Sequence, residues 1–103
     1  MAEFDLLAVG SALMGSYFGL LGVAQGWLVS EGLPEAAARS YLAGLFANLG
    51  RVAEGSAKGF TDLREDYSTK GGLNEQMFQV FEEKGGAEAL RTALSQVMQR
   101  VRG

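Results

Sequence analysis

Cysteine and histidine are both missing from this sequence, and proline occurs once, at Pro34. Without thiols there are no disulfides and no thiolate nucleophile. Without imidazole there is no histidine general base, and most zinc sites lose their ligands. The lack of cysteine suits a cytoplasmic setting. Positive charge is not concentrated anywhere: the net charge is −3, and the bases are scattered from Arg39 to Arg102. A nucleic-acid-binding role therefore lacks its electrostatic footprint. Glu3 and Asp5 stand where the basic flank of a secretory signal would be. The alternating apolar–polar pattern of a half-buried strand is nowhere to be found, so the chain reads as all-α.

What remains is an ordinary globular balance. Of 103 residues, 48% are hydrophobic and 20% charged, which argues against disorder and for one helical domain over residues 1–103. The stretch from Phe4 to Val29 organises it. It carries one charge, Asp5, and no proline. On a helical wheel Ala8, Gly15, Gly19, Gly22 and Gly26 form one narrow stripe, while Leu13, Tyr17, Leu20, Leu21 and Leu28 spread over the other side. Each glycine costs a helix roughly 1 kcal/mol relative to alanine, so the stripe has to allow close approach of another backbone. Such a helix, apolar all round, belongs inside protein or lipid. At about 1.5 Å per residue it would run roughly 39 Å, against a radius of gyration of about 13 Å for a compact domain of this size.

Either a second copy of the chain or a bilayer must then cover it. Gly15-x-x-x-Gly19 and Gly22-x-x-x-Gly26 suit dimerising membrane helices. The flanks, however, offer Glu3, Asp5 and Glu31 in place of basic anchors. The remaining helices are amphipathic in the manner of soluble proteins, so burial in protein is preferred and a membrane role is the alternative.

Further along, Gly32 suits a helix C-cap and Pro34 the first position of a new helix. That second long helix is expected to run to about Ala57, with Ala38, Leu42, Leu45, Leu49 and Val52 in one row. Shorter helices are expected over Phe60–Asp66, Leu73–Lys84 and Ala87–Val101. Between the first two of these lies Tyr67-Ser68-Thr69-Lys70-Gly71-Gly72, the one stretch with loop chemistry.

That loop is the one place where chemistry is suggested. It leads into a helix N-terminus, whose free N–H groups and partial positive charge favour an anion. Lys70 adds a full charge, and Ser68, Thr69 and Asn74 add hydrogen-bonding groups around Gly71 and Gly72. The plainer reading is a turn with a capped helix and a solvated lysine. Glu65-Asp66 and Glu82-Glu83 are adjacent in sequence and diverge on a helix, which makes them solvated pairs rather than catalytic ones. Met14, Met77 and Met98 read as core filler. No catalytic residue, metal ligand or strand–Gly-rich turn for a dinucleotide is apparent, so this chain alone should hold no cofactor.

The order of parts resembles the C-terminal domain of pyrroline-5-carboxylate reductase: a long small-residue helix, the turn Gly32-Leu33-Pro34, an alanine-rich helix, a Gly-Gly loop and two short helices. The nearest stretch is Tyr67 to Val97, which is similar to the family's valine-Thr-Ser-Pro-Gly-Gly-Thr-Thr loop and the helices after it. Ser68 stands at the family's threonine and Thr69 at its serine. Lys70 replaces the proline, and Leu73 and Asn74 replace the two threonines. The family's motif at the opening of the long helix would fall on Gly10 to Ser16, which reads GSALMGS.

The resemblance implies an intertwined helical homodimer, with Gly15, Gly19, Gly22 and Gly26 at the interface. It further implies that Ser68, Thr69, Lys70, Gly71, Gly72 and Asn74 hold a small anionic substrate. The parent protein would be an NAD(P)H-dependent oxidoreductase of proline biosynthesis, with its cofactor on an N-terminal Rossmann domain that is not in this chain. The chain by itself would be inert. A stand-alone oligomerisation module is the rival within the same fold.

Overall fold

A computed structural model describes residues 2–103. Six helices follow one another: α1 (Ala2–Ser11), α2 (Leu13–Ser30), α3 (Glu35–Gly55), α4 (Phe60–Tyr67), α5 (Leu73–Glu83) and α6 (Gly86–Arg102). No strand occurs among the described residues. The all-α expectation holds, and the later helix boundaries fall within one or two residues of those read from the pattern.

The long N-terminal helix expected over Phe4–Val29 is present, with one irregular residue: the chain leaves α-helical bonding at Ala12, between α1 and α2. The Ser11 hydroxyl donates to the Leu7 carbonyl at 3.0 Å, and the Ala12 amide donates to Val9, three residues back, at 3.0 Å. A serine bonding back to the fourth carbonyl before it is a known cause of helix bending. Beside Gly10, which contributes no side-chain packing of its own, it is enough to interrupt the run.

The described residues divide into two compact units, one built from residues 2–12 together with Lys58–Gly103, the other from Leu13–Ala57. In the first, α6 packs against both α1 and α5, and Val9 is its buried apolar residue. Phe78 and Phe81 of α5 stack with ring centroids 5.7 Å apart. The Arg64 guanidinium of α4 lies 4.6 Å above the Phe78 ring, a cation–π contact that ties α4 to α5. Lys58 and Asp66 pair at 2.6 Å, but both are about half exposed, so the pair adds little stability.

The second unit is the antiparallel pair α2 and α3. Its turn follows from three residues. Leu33 N–H donates to Leu28 C=O and Gly32 N–H to Val29 C=O, both at 3.0 Å, with Gly32 at φ 113°. This is a Schellman motif, which needs a left-handed residue just past the helix end, and glycine accepts that without steric cost. Pro34 caps the next helix at the position before its first residue, one place earlier than expected. Its carbonyl accepts the first helical bond, from Ala38 at 2.9 Å. Ala38 and Leu42 are buried between the helices, the Tyr17 and Phe46 rings meet edge to face at 5.9 Å, and Gln25 Nε2 donates to the Glu35 carbonyl at 3.3 Å.

Candidate functional site

The loop between α4 and α5 forms a tight turn. Gly72 N–H donates to Thr69 C=O at 2.8 Å, Gly71 has φ 77°, and no residue other than glycine has positive φ among those described. Lys70 therefore occupies the first corner with negative φ and Gly71 the second with positive φ, the pattern of a type II turn. A Cβ at Gly72 would lie 3.0 Å from the Thr69 carbonyl oxygen, tighter than an ordinary contact. Gly71 is thus required by the backbone, whereas Gly72, at φ −89°, is only crowded by the Thr69 carbonyl. Gly71→Ala should lower stability by about 1 kcal/mol, because alanine disfavours the left-handed region, measurable as a lower urea midpoint.

The two amides of the Gly-Gly pair are engaged within the chain. That of Gly72 closes the turn, and that of Gly71 donates to Glu75 Oε1 at 2.9 Å. Glu75 is the third residue of α5, where a carboxylate reaches back over the helix start as in a capping box and favours the dipole. Its place was open to reading: an acid three residues after the Gly72 cap carries this signal. The absence of Ser or Thr at the cap hid it. Ser68 is tied down as well, its hydroxyl donating to the Arg64 carbonyl at 2.7 Å. Lys70 and Asn74 are exposed. Of the six residues expected to receive an anion, the turn brings all into one short segment. The donors left facing outward are the first helical amides after Gly72, together with the Lys70 and Asn74 side chains.

The four glycines expected at an interface lie along α2 and are all exposed. A Cβ built on Gly15, Gly19, Gly22 or Gly26 would meet nothing within 4 Å, so among the described residues none uses the close approach that the stripe allows. Around it the helix displays Met14 (67% exposed), Phe18 (68%), Val23 (76%) and Trp27 (62%). One edge of the stripe opens into a groove of about 490 Å³ between α2 and α3, lined among others by Tyr17, Phe18, Gly22, Gln25, Arg39 and Leu42. Arg39 is the one charged group on that lining. By length and composition, Glu3–Ser30 could also cross a membrane: its mean hydropathy is 1.7 and 6% of its apolar window is buried. Among the described residues no cluster of acidic groups is placed to hold a metal ion.

A family model described as pyrroline-5-carboxylate reductase dimerisation matches residues 5–103. No curated protein and no solved structure matches the chain.

Proposed function

Because the chain belongs to the pyrroline-5-carboxylate reductase dimerisation family, we propose that it forms a homodimer and supplies the substrate side of an NAD(P)H-dependent oxidoreductase. The family match over residues 5–103 carries this reading. A member of a dimerisation family self-associates, and α2 has the surface for it: bulky apolar residues flanking a glycine stripe that none of the described residues approaches. Two such helices can bring their backbones close along the glycines and bury the aromatic flanks. That recovers the helix-propensity cost of Gly15, Gly19, Gly22 and Gly26 through packing.

In the parent enzyme the loop from Ser68 to Asn74 would receive the substrate carboxylate, with Lys70 steering it and the α5 amides completing the cradle. Glu75 already places a carboxylate on the Gly71 amide at 2.9 Å, so the substrate anion is expected to bind beside that group, at the exposed Lys70 and Asn74. The described residues contain no strand and so no strand–turn–helix seat for a dinucleotide. NAD(P)H would be held by a nucleotide-binding domain outside residues 1–103. This chain's part is to bind and position the acceptor, and to form the dimer that frames it.

Two measurements test the reading. Light scattering in buffer without detergent should give the mass of two chains. In a parent protein carrying both halves, the double change Lys70→Ala, Asn74→Ala should raise KM about tenfold with kcat nearly unchanged, the behaviour of uniform substrate binding. An unchanged KM would reduce the loop to a turn and leave an oligomerisation module. The apolar Glu3–Ser30 segment, so little of it buried, favours one other reading, a membrane helix dimer. Recovery of the chain only in detergent would select it.

A further inference from the structure

We infer that Arg64, Phe78 and Phe81 are positioning residues for the loop from Ser68 to Asn74: packed into one column, they fix the spacing of the two helix ends that carry it. This deepens the substrate reading given above and rests on it. All of these residues lie in the unit that contains Lys58–Gly103. The loop hangs between the end of α4 and the start of α5. On the α4 side Ser68 is fastened twice, its hydroxyl donating to the Arg64 carbonyl at 2.7 Å and its amide to the Glu65 carbonyl at 3.0 Å. On the α5 side Glu75 accepts from the Gly71 amide at 2.9 Å. The two sides are tied across by Arg64, whose guanidinium lies 4.6 Å above the Phe78 ring. Among the described residues Arg64 makes no ion pair, so the ring is the partner its cation has.

One residue thus serves both ends of the tie. The Arg64 carbonyl holds Ser68, and the Arg64 side chain holds α5 one turn past the loop. A cation–π contact is directional, because the cation must sit over the ring face, where the quadrupole is negative. The orientation of the Phe78 ring is therefore part of the device. Phe81, three residues on and so on the same side of α5, stacks against it at 5.7 Å with 26° between the planes. The Phe81 ring in turn lies against Gly86, the first residue of α6, where a Cβ would overlap the ring edge. Any other residue there would push the ring away. From Gly86 through Phe81 and Phe78 to Arg64 the contacts are continuous, and they end on the carbonyl to which Ser68 is bonded. A loop held in this way is ordered before its ligand arrives. Having to order even one residue on binding would weaken affinity about tenfold.

The test is a double-mutant cycle in a parent protein carrying both halves, with pyrroline-5-carboxylate as the substrate assayed. Arg64→Gln and Phe78→Leu should each raise KM about tenfold with kcat nearly unchanged. The double variant should go no further than either alone, since both remove the same contact. Phe78→Tyr keeps the ring face and should restore KM. In the chain of residues 1–103, the ¹⁵N order parameters of Lys70–Gly72 should fall from about 0.85 to below about 0.6 in Phe78→Leu and return in Phe78→Tyr, with those of α6 unchanged. A KM unmoved by Phe78→Leu where the Lys70→Ala, Asn74→Ala pair raises it would overturn the column and leave the substrate loop standing. A KM unmoved by either would overturn the loop reading itself. Additive effects of Arg64→Gln and Phe78→Leu, or a loop still ordered in Phe78→Leu, would also overturn the column, since Arg64 would then act through its charge alone.

Discussion

Gly19→Leu should break the dimer, and it is informative because its two possible effects have opposite signs. Within one chain a Cβ at Gly19 meets nothing within 4 Å, and leucine is a better helix former than glycine by several tenths of a kcal/mol. If the stripe faced solvent, the variant would be slightly more stable than the parent. If the stripe is where two backbones approach, a leucine side chain must be accommodated twice, once from each copy. Overpacking costs about 1–3 kcal/mol per site, so association should weaken on the order of 10- to 10⁴-fold. Sedimentation and circular dichroism at one micromolar concentration distinguish these cases. Loss of dimer is the expected result. An unchanged mass with a raised thermal midpoint would remove Gly19 from the interface.

Leu42→Ala is expected to have the next largest effect, by another route. Leu42 is one of two buried residues joining α2 to α3 and also lines the groove beside Tyr17 and Leu21. Truncating a buried leucine costs about 2–5 kcal/mol, with the lower end applying where the site can collapse or admit water. An open groove on one side puts this position near 2–3 kcal/mol per chain. The denaturant midpoint should drop accordingly, with the slope unchanged. A change below about 0.5 kcal/mol, ordinary for surface positions, would mean that the α2–α3 contact contributes little and that the pair is held by something else.

Much of the fold could be read from residue spacing because the signals are local. The turn at Gly32 and Pro34 follows from backbone sterics at two residues. The loop at Thr69–Gly72 follows from a glycine at a corner that needs positive φ. The interruption at Ala12 could not be read this way. Hydropathy and spacing run unbroken through it, and the cause is a hydroxyl-to-carbonyl bond, Ser11 to Leu7, that a serine in a helix makes in some settings and not in others. At the loop, composition pointed to an anion, and the structure adds the chain's own Glu75 carboxylate on the Gly71 amide. An acid at the third helical position has both a helix dipole and a free amide within reach.

By itself the sequence determined the helix class, the order of the helices and the small-residue stripe, since these depend on propensity and on a period of 3.6 residues. The tertiary structure alone decided which surfaces the chain satisfies internally. Gly15, Gly19, Gly22 and Gly26 meet no neighbour, while Ala38 and Leu42 do. A periodic pattern marks a face as apolar without saying what covers it. Burial is a relation between elements distant in sequence, and here it leaves α2 with an apolar surface that the described residues do not cover.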